Sequence, residues 1–257
     1  MPPKWEPWVR RELKPQVITQ KQWRLSRSAG QMLSHLEATR RVYGTRSGQR
    51  KLRLFHLACC RRGRKLLERD PVQPVLEAAE QHADGAYRRD RLVRLIERVR
   101  AEVHDSLPDS ICVSEEAFYS RRMYEHLRRQ IGFLRGGVLW SAGPERLYHL
   151  DVYYLTIAYG VAGLELVREL SAQCAILRDI FGDPFRPIRF SPAWRTDTAV
   201  LLAKQMYESR DFGAMPILAD ALQDADCTDY AILSHCRDRK QKHVRGCWVV
   251  DAVLGKE

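Results

Sequence analysis

The stretch YRRDRLVRLIERVRAEVH, residues 87–104, decides the fold class. In it Leu92, Leu95, Ile96, Val99 and Val103 recur at the i, i+3, i+4, i+7, i+11 spacing of one helix face, and Arg91, Arg94 and Arg98 lie off that stripe. The same period continues outward in both directions. It predicts further helices over 29–42, 50–68, 75–82, 115–129, 145–181, 197–209, 215–222, 228–236 and 243–254. The longest of these carries Gly160 and Gly163, each of which weakens a helix by about 1 kcal/mol relative to alanine, so a break is expected there. Alternating strand patterns are scarce, with 111–113 and 187–190 reading as short extended pieces. The expected fold is mainly α, a multi-helix bundle-like protein with a small C-terminal subdomain of short helices.

Proline marks the internal boundary. Pro184, Pro187 and Pro192 fall within nine residues, and each lacks an amide donor and biases its predecessor away from helix. This divides the chain into a basic helical domain over 18–182 and a short-helix subdomain over 183–257. Residues 1–17, with four prolines and two tryptophans, read as a flexible arm. At 257 residues, 45% hydrophobic and 29% charged, the chain is large enough for a substantial core, and collagen-like, low-complexity and wholly disordered classes are excluded. The N-terminal sequence has no apolar run of signal-peptide length, and the most apolar segment, 147–167, is interrupted by His149, Asp151 and Glu165. A cytoplasmic protein without membrane contact is therefore expected. Seven cysteines, an odd number without a disulfide-framework rhythm, fit reduced thiols.

The net charge of +11 is concentrated in one half. Residues 1–135 carry 29 Lys and Arg against 16 Asp and Glu, a net of +13, whereas 136–257 carry 14 against 16, a net of −2. The basic clusters include Arg61, Arg62, Arg64 and Lys65, then Arg88, Arg89, Arg91, Arg94 and Arg98, then Arg121, Arg122, Arg128 and Arg129. Gathered on one surface, these side chains would neutralise phosphates of DNA or RNA, with Trp23, Tyr87, Tyr119 and Tyr124 as stacking surfaces. The competing reading is that they coat solvent faces and pair with nearby acids, an arrangement that Asp90–Arg94 and Glu125–Arg129 have at i, i+4.

The second chemical concentration is in the tail, where Cys227, His235, Cys236, His243 and Cys247 fall within 21 residues. Thiolates and imidazoles at close spacing are the donors of a tetrahedral zinc site, and on a helix His243 and Cys247 would share one face. His235 and Cys236, as helix neighbours, point about 100° apart, so both reaching one metal is not expected. Core packing competes, because Cys247 stands among Val244, Trp248, Val250 and Leu254. A thiol nucleophile is a further reading, with Cys236 and His243, or Cys247 with His243 and Asp251. Asp226 or Thr228 is expected to cap the helix that follows them. Phosphate-loop, dinucleotide, H-E-x-x-H and G-x-S-x-G signatures are absent from the sequence.

Several segments are similar to a bacterial family of unassigned activity. They are RKLRLFHLACCRR at 50–62, EAAEQHADG at 77–85, LRDIFGDPFRP at 177–187, MPILADALQDADC at 215–227, ILSHCR at 232–237 and HVRGCWVVDAVLGKE at 243–257. ITQKQW…ML at 18–33 resembles the family's usual start, while residues 86–145 match poorly. Similar segments also occur beside repeat modules in larger proteins, so the resemblance implies a scaffold or interaction role. The expected function is a non-enzymatic helical interaction or adaptor module with a protein partner. A nucleic-acid-binding accessory protein is second, and a zinc-dependent or thiol enzyme third.

Overall fold

Half of the ten helices among the described residues start where a side chain can satisfy their first free amides. Thr19, Ser28, Thr45, Thr196 and Asp229 each accept a hydrogen bond from a backbone N–H two or three residues on. Two others start with proline at the second position, Pro74 and Pro216, where its missing N–H costs nothing. The structure, a computed structural model, describes residues 17–39, 42, 45–63, 67, 68, 70–103, 135, 138, 139, 142 and 166–256. The helices are α1 (Gln20–Leu25), α2 (Ala29–Ala38), α3 (Arg46–Arg62), α4 (Gln73–Ala83) and α5 (Arg89–Val103), followed by α6 (Leu166–Phe181), α7 (Asp197–Ser209), α8 (Met215–Asp224), α9 (Tyr230–Arg237) and α10 (Trp248–Leu254). A 3₁₀ turn, Pro192–Trp194, precedes α7. Among the described residues there is no strand, and no helix is long and apolar enough to cross a membrane.

The fold is mainly α, as the periodicity predicts. Expected helices 115–129, the first part of 145–181 and the short piece at 111–113 lie outside the described residues, as do residues 1–16 of the arm. Three expectations need correction. Residues 187–190 form no strand. Helix α1 has too few residues for the apolar period to show, and its signature is instead a reciprocal cap in which Thr19 accepts from the Gln22 amide and Gln22 from the Thr19 amide. The last helix starts at Trp248 rather than at 243, because Gly246 adopts φ +94° and packs against Leu54, where a Cβ would stand 2.9 Å from Leu54 Cδ1.

Buried apolar side chains form two clusters. One gathers α1–α6 around Trp23, Met32, Phe55, Leu76, Leu92 and Leu177; the other gathers α7–α10 around Met206, Leu218, Leu222, Ile232, Val249 and Val250. Helix α6 packs on α2 and α3 within the first cluster and also touches α10 of the second.

The interior also holds acids, and most face an arginine. Asp70 faces Arg135, Glu169 faces Arg62, and Glu80 faces Arg61, Arg210 and Arg245. Arg50 is the centre of the largest network: it donates to Asp84 at 2.8 Å, Asp251 at 2.6 Å, the Tyr207 hydroxyl at 2.7 Å and the Lys256 carbonyl at 3.0 Å. Arg245 adds a second cation at 2.7 Å from Asp84 and lies over the Tyr207 ring. Burial alone would raise the Asp84 pKa, but Arg50, Tyr207 and Arg245 overcome it and hold the carboxyl below its ordinary value. Asp251, more deeply buried, is pushed up despite Arg50.

Removing Arg50 leaves two carboxylates in the interior without their main counter-charge. Arg50→Met is therefore expected to cost about 3–5 kcal/mol of stability at neutral pH, read as a shift in the urea midpoint. Asp84 contributes stability that is present above its unfolded pKa of about 3.9 and is lost as pH falls through the lower native value. Acid unfolding below about pH 4 should accordingly be shallower in Asp84→Asn than in the parent; equal slopes would remove Asp84 from the acid transition.

Candidate metal centre and adjoining groove

Four side chains from three places in the chain converge near the junction of the two clusters. Asp179 stands on the last turn of α6, one turn after Ile176, and is fully buried. His235 stands on the last turn of α9, which Asp229 starts by accepting from the Ala231 and Ile232 amides. His243 lies in the loop after α9, and Cys247 is the residue from which α10 starts. Gly246, turned back against Leu54, brings the thiol beneath the two rings.

The donor atoms share one small volume, all within 4.8 Å of one another. Asp179 Oδ1 lies 2.7 Å from His243 Nδ1 and 3.3 Å from His235 Nε2. Cys247 Sγ lies 3.3 Å from His235 Nε2 and 3.7 Å from His243 Nδ1. The other carboxylate oxygen, Oδ2, accepts from the Val244 amide at 2.8 Å. Trp248 covers the far side of His235, with ring centroids 5.0 Å apart. The side chains of Asp179 and Cys247 are sealed from solvent, whereas His235 keeps 15% exposure.

Burial would raise the Asp179 pKa, yet hydrogen bonds from His235 and His243 outweigh it and hold the carboxyl below its ordinary value. Cys247 goes the other way: burial, followed by the Asp179 charge, drives its pKa well above the ordinary thiol value. Each imidazole thus presents a single nitrogen to both the carboxylate and the sulfur. A thiol triad needs a chain instead, with the base between nucleophile and orienter and a different nitrogen facing each. Convergence on a common point is the geometry of a cation's ligand shell.

The structure brings together three of the five tail residues expected as zinc ligands, His235, His243 and Cys247. Cys227 and Cys236 are instead buried in the second apolar cluster, outside the four-donor group. Cys236 is pushed up to about 12 by burial, as a thiol among hydrocarbons should be. His243 and Cys247 meet through a turn, not along one helix face. Asp251, offered as an orienter for His243, is engaged by Arg50. Asp179 was not among the expected ligands: it stands at i+3 from Ile176, at the edge of the apolar stripe, and that position is its only signal in the sequence. The next helix is capped by Asp229, whereas Asp226 takes a left-handed turn at φ +62°.

Of the expected nucleic-acid contacts, Arg64, Lys65, Arg121, Arg122, Arg128 and Arg129 lie outside the described residues. Arg61 and Arg62 pair with Glu80 and Glu169. Arg88, just before α5, and Arg89, Arg91, Arg94 and Arg98 on it are exposed, with Arg88 and Arg94 both reaching Asp90. Trp23 is no stacking surface: it is buried and its Nε1 donates to the Gly182 carbonyl at 3.1 Å. Cys59 and Cys60 are both buried.

Beside the four-donor cluster opens a hollow of about 630 Å³, walled by Trp23, Ile188, Tyr230, His235 and Trp248. A second, of about 270 Å³, continues past Gly182, Ile188 and Trp248 to Phe190 and Lys51. Together they make a groove with aromatic walls, and its rim carries Lys51, Arg24, Arg178 and Arg186 against Asp183 and Asp238. The chain matches no protein-family model, no curated protein and no solved structure.

The buried thiols carry a direct consequence. In metal-free native protein at pH 8, the six described cysteines should react with a disulfide reagent at least about tenfold more slowly than in urea, because all six are buried away from the reagent. Rapid native labelling of Cys247 would reopen the nucleophile reading.

Proposed function

We propose that the chain is a non-enzymatic helical interaction module that docks a segment of a partner protein in this groove. The observation that carries the reading is the groove's make-up: Trp248 and Ile188 wall both hollows, joined by Tyr230 in the larger and Phe190 in the smaller, under a rim of net positive charge. Tyr230, 83% exposed at its edge, is a large aromatic held in water. Such anchors, ringed by charges that select the partner's flanks, are the usual composition of peptide-recognition surfaces. The matching segment has an apolar or aromatic anchor and acidic neighbours. Zinc, the cofactor expected from the tail's cysteines and histidines, belongs to this reading as a brace behind the groove wall.

Selection from a displayed peptide library should return sequences with that pattern. Tyr230→Ala and Arg186→Glu, both at exposed positions, should weaken the selected peptides about tenfold or more without lowering Tm. A library that yields no binder, or binders indifferent to both changes, would remove the groove as a docking site.

The exposed arginines of α5 favour a second reading, contact with a nucleic acid or other polyanion. Binding through them should weaken with salt at a log–log slope of about −0.7 to −0.9 per neutralised phosphate, and the slope should drop by about two in an Arg91→Glu, Arg98→Glu double variant. A flat salt response would leave these arginines as solvent-facing charge.

A further inference from the structure

We propose that Asp179, His235, His243 and Cys247 are the four ligands of a closed zinc site that staples α6 to α9 and to the start of α10. A tetrahedral zinc with bonds of about 2.0–2.3 Å separates its ligand atoms by roughly 3.3–3.7 Å. Of the six separations among the four ligand atoms, three, at 3.3, 3.3 and 3.7 Å, already have that length, the 2.7 Å between Asp179 Oδ1 and His243 Nδ1 needs to open by about half an ångström, and the remaining two, His235 to His243 and Asp179 to Cys247, lie within 4.8 Å.

Electrostatics supplies an independent reason. Among the described residues, the other buried acids, Asp70, Glu80, Glu169 and Asp251, each face an arginine. Asp179 faces two imidazoles and a thiol. A carboxylate in that setting lacks a permanent counter-charge, and a divalent cation supplies one while satisfying the sulfur as a thiolate. The donor set selects the metal. One sulfur, two imidazole nitrogens and one carboxylate oxygen suit zinc, whereas magnesium and calcium prefer shells of oxygen.

The surroundings are those of a structural centre. All four tetrahedral positions are filled by protein, and the outer shell is built in part: the Val244 amide holds the free oxygen of Asp179 and Trp248 packs on His235, while the buried Nε2 of His243 has no hydrogen-bond partner among the described residues. His235 binds through Nε2 and His243 through Nδ1, and the Cys247 proton leaves to solvent as the metal enters. This deepens the docking reading, since His235 and Trp248 also wall the groove, but its test uses the chain without any partner, so either idea can fail alone.

Full-length protein stripped with a chelator should take up one zinc per chain and gain several degrees in Tm. Cobalt(II) in its place should give tetrahedral visible bands and a thiolate charge-transfer band. Asp179→Asn, His235→Ala, His243→Ala and Cys247→Ser should each weaken zinc by about a hundredfold or more, beyond what loss of an outer-shell contact causes, and Cys247→Ser should abolish the charge-transfer band. Cys227→Ser and Cys236→Ser should leave both unchanged. A stripped wild type with native circular dichroism that takes up no zinc overturns the proposal. So does cobalt without sulfur coordination, or zinc binding lost on changing Cys227 or Cys236; these outcomes decide it even if a ligand variant fails to fold.

Discussion

A carboxylate taken out of water needs a positive partner, and in this protein that requirement links elements distant in sequence. Arg50 on α3 faces the acid that ends α4 and the one within α10, and its contact with the Lys256 carbonyl ties the last described residue into the same network. Arg210 reaches back from the end of α7 to Glu80 on α4. These contacts cross between the two apolar clusters, where hydrocarbon alone would give little orientational preference. Apolar burial supplies the bulk of the stability, and the charges specify how the helices are arranged.

Asp179 obeys the same requirement with different chemistry. Its partners are nitrogens and a sulfur, groups whose charge depends on a proton or a metal, so the contact between α6 and the tail is conditional in a way that Arg50's contacts are not. Because His235 also forms part of the groove wall, the conditional contact and the groove share a residue.

The period of 3.6 in the apolar residues made the helices legible, and 197–209 could be placed to the residue because Thr196 caps it and the apolar stripe fills its length. The short α1 carried its information in a Thr–Gln cap instead. The candidate site was legible only in part. His235, His243 and Cys247 stood close together in sequence, but Asp179 lies 56 residues before His235 and is joined to it by folding alone. Cys227 and Cys236 had the right chemistry and spacing yet point into hydrocarbon, since a thiol is small and apolar enough to serve as either ligand or core. The arginines could be counted but not sorted, because the acids that claim Arg50 and Arg62 are 34 to 201 residues away.

Gly182, with φ +65°, follows α6 and shows how a permissive residue can produce rigidity. Its carbonyl accepts the Trp23 indole N–H, and a Cβ on it would stand 3.3 Å from the Trp248 ring. A glycine at the end of a long helix, just before a proline-rich connection, has the marks of a hinge. Here one indole from each cluster packs against it instead, and the crowded position between them is one that only a residue without a side chain fills unstrained.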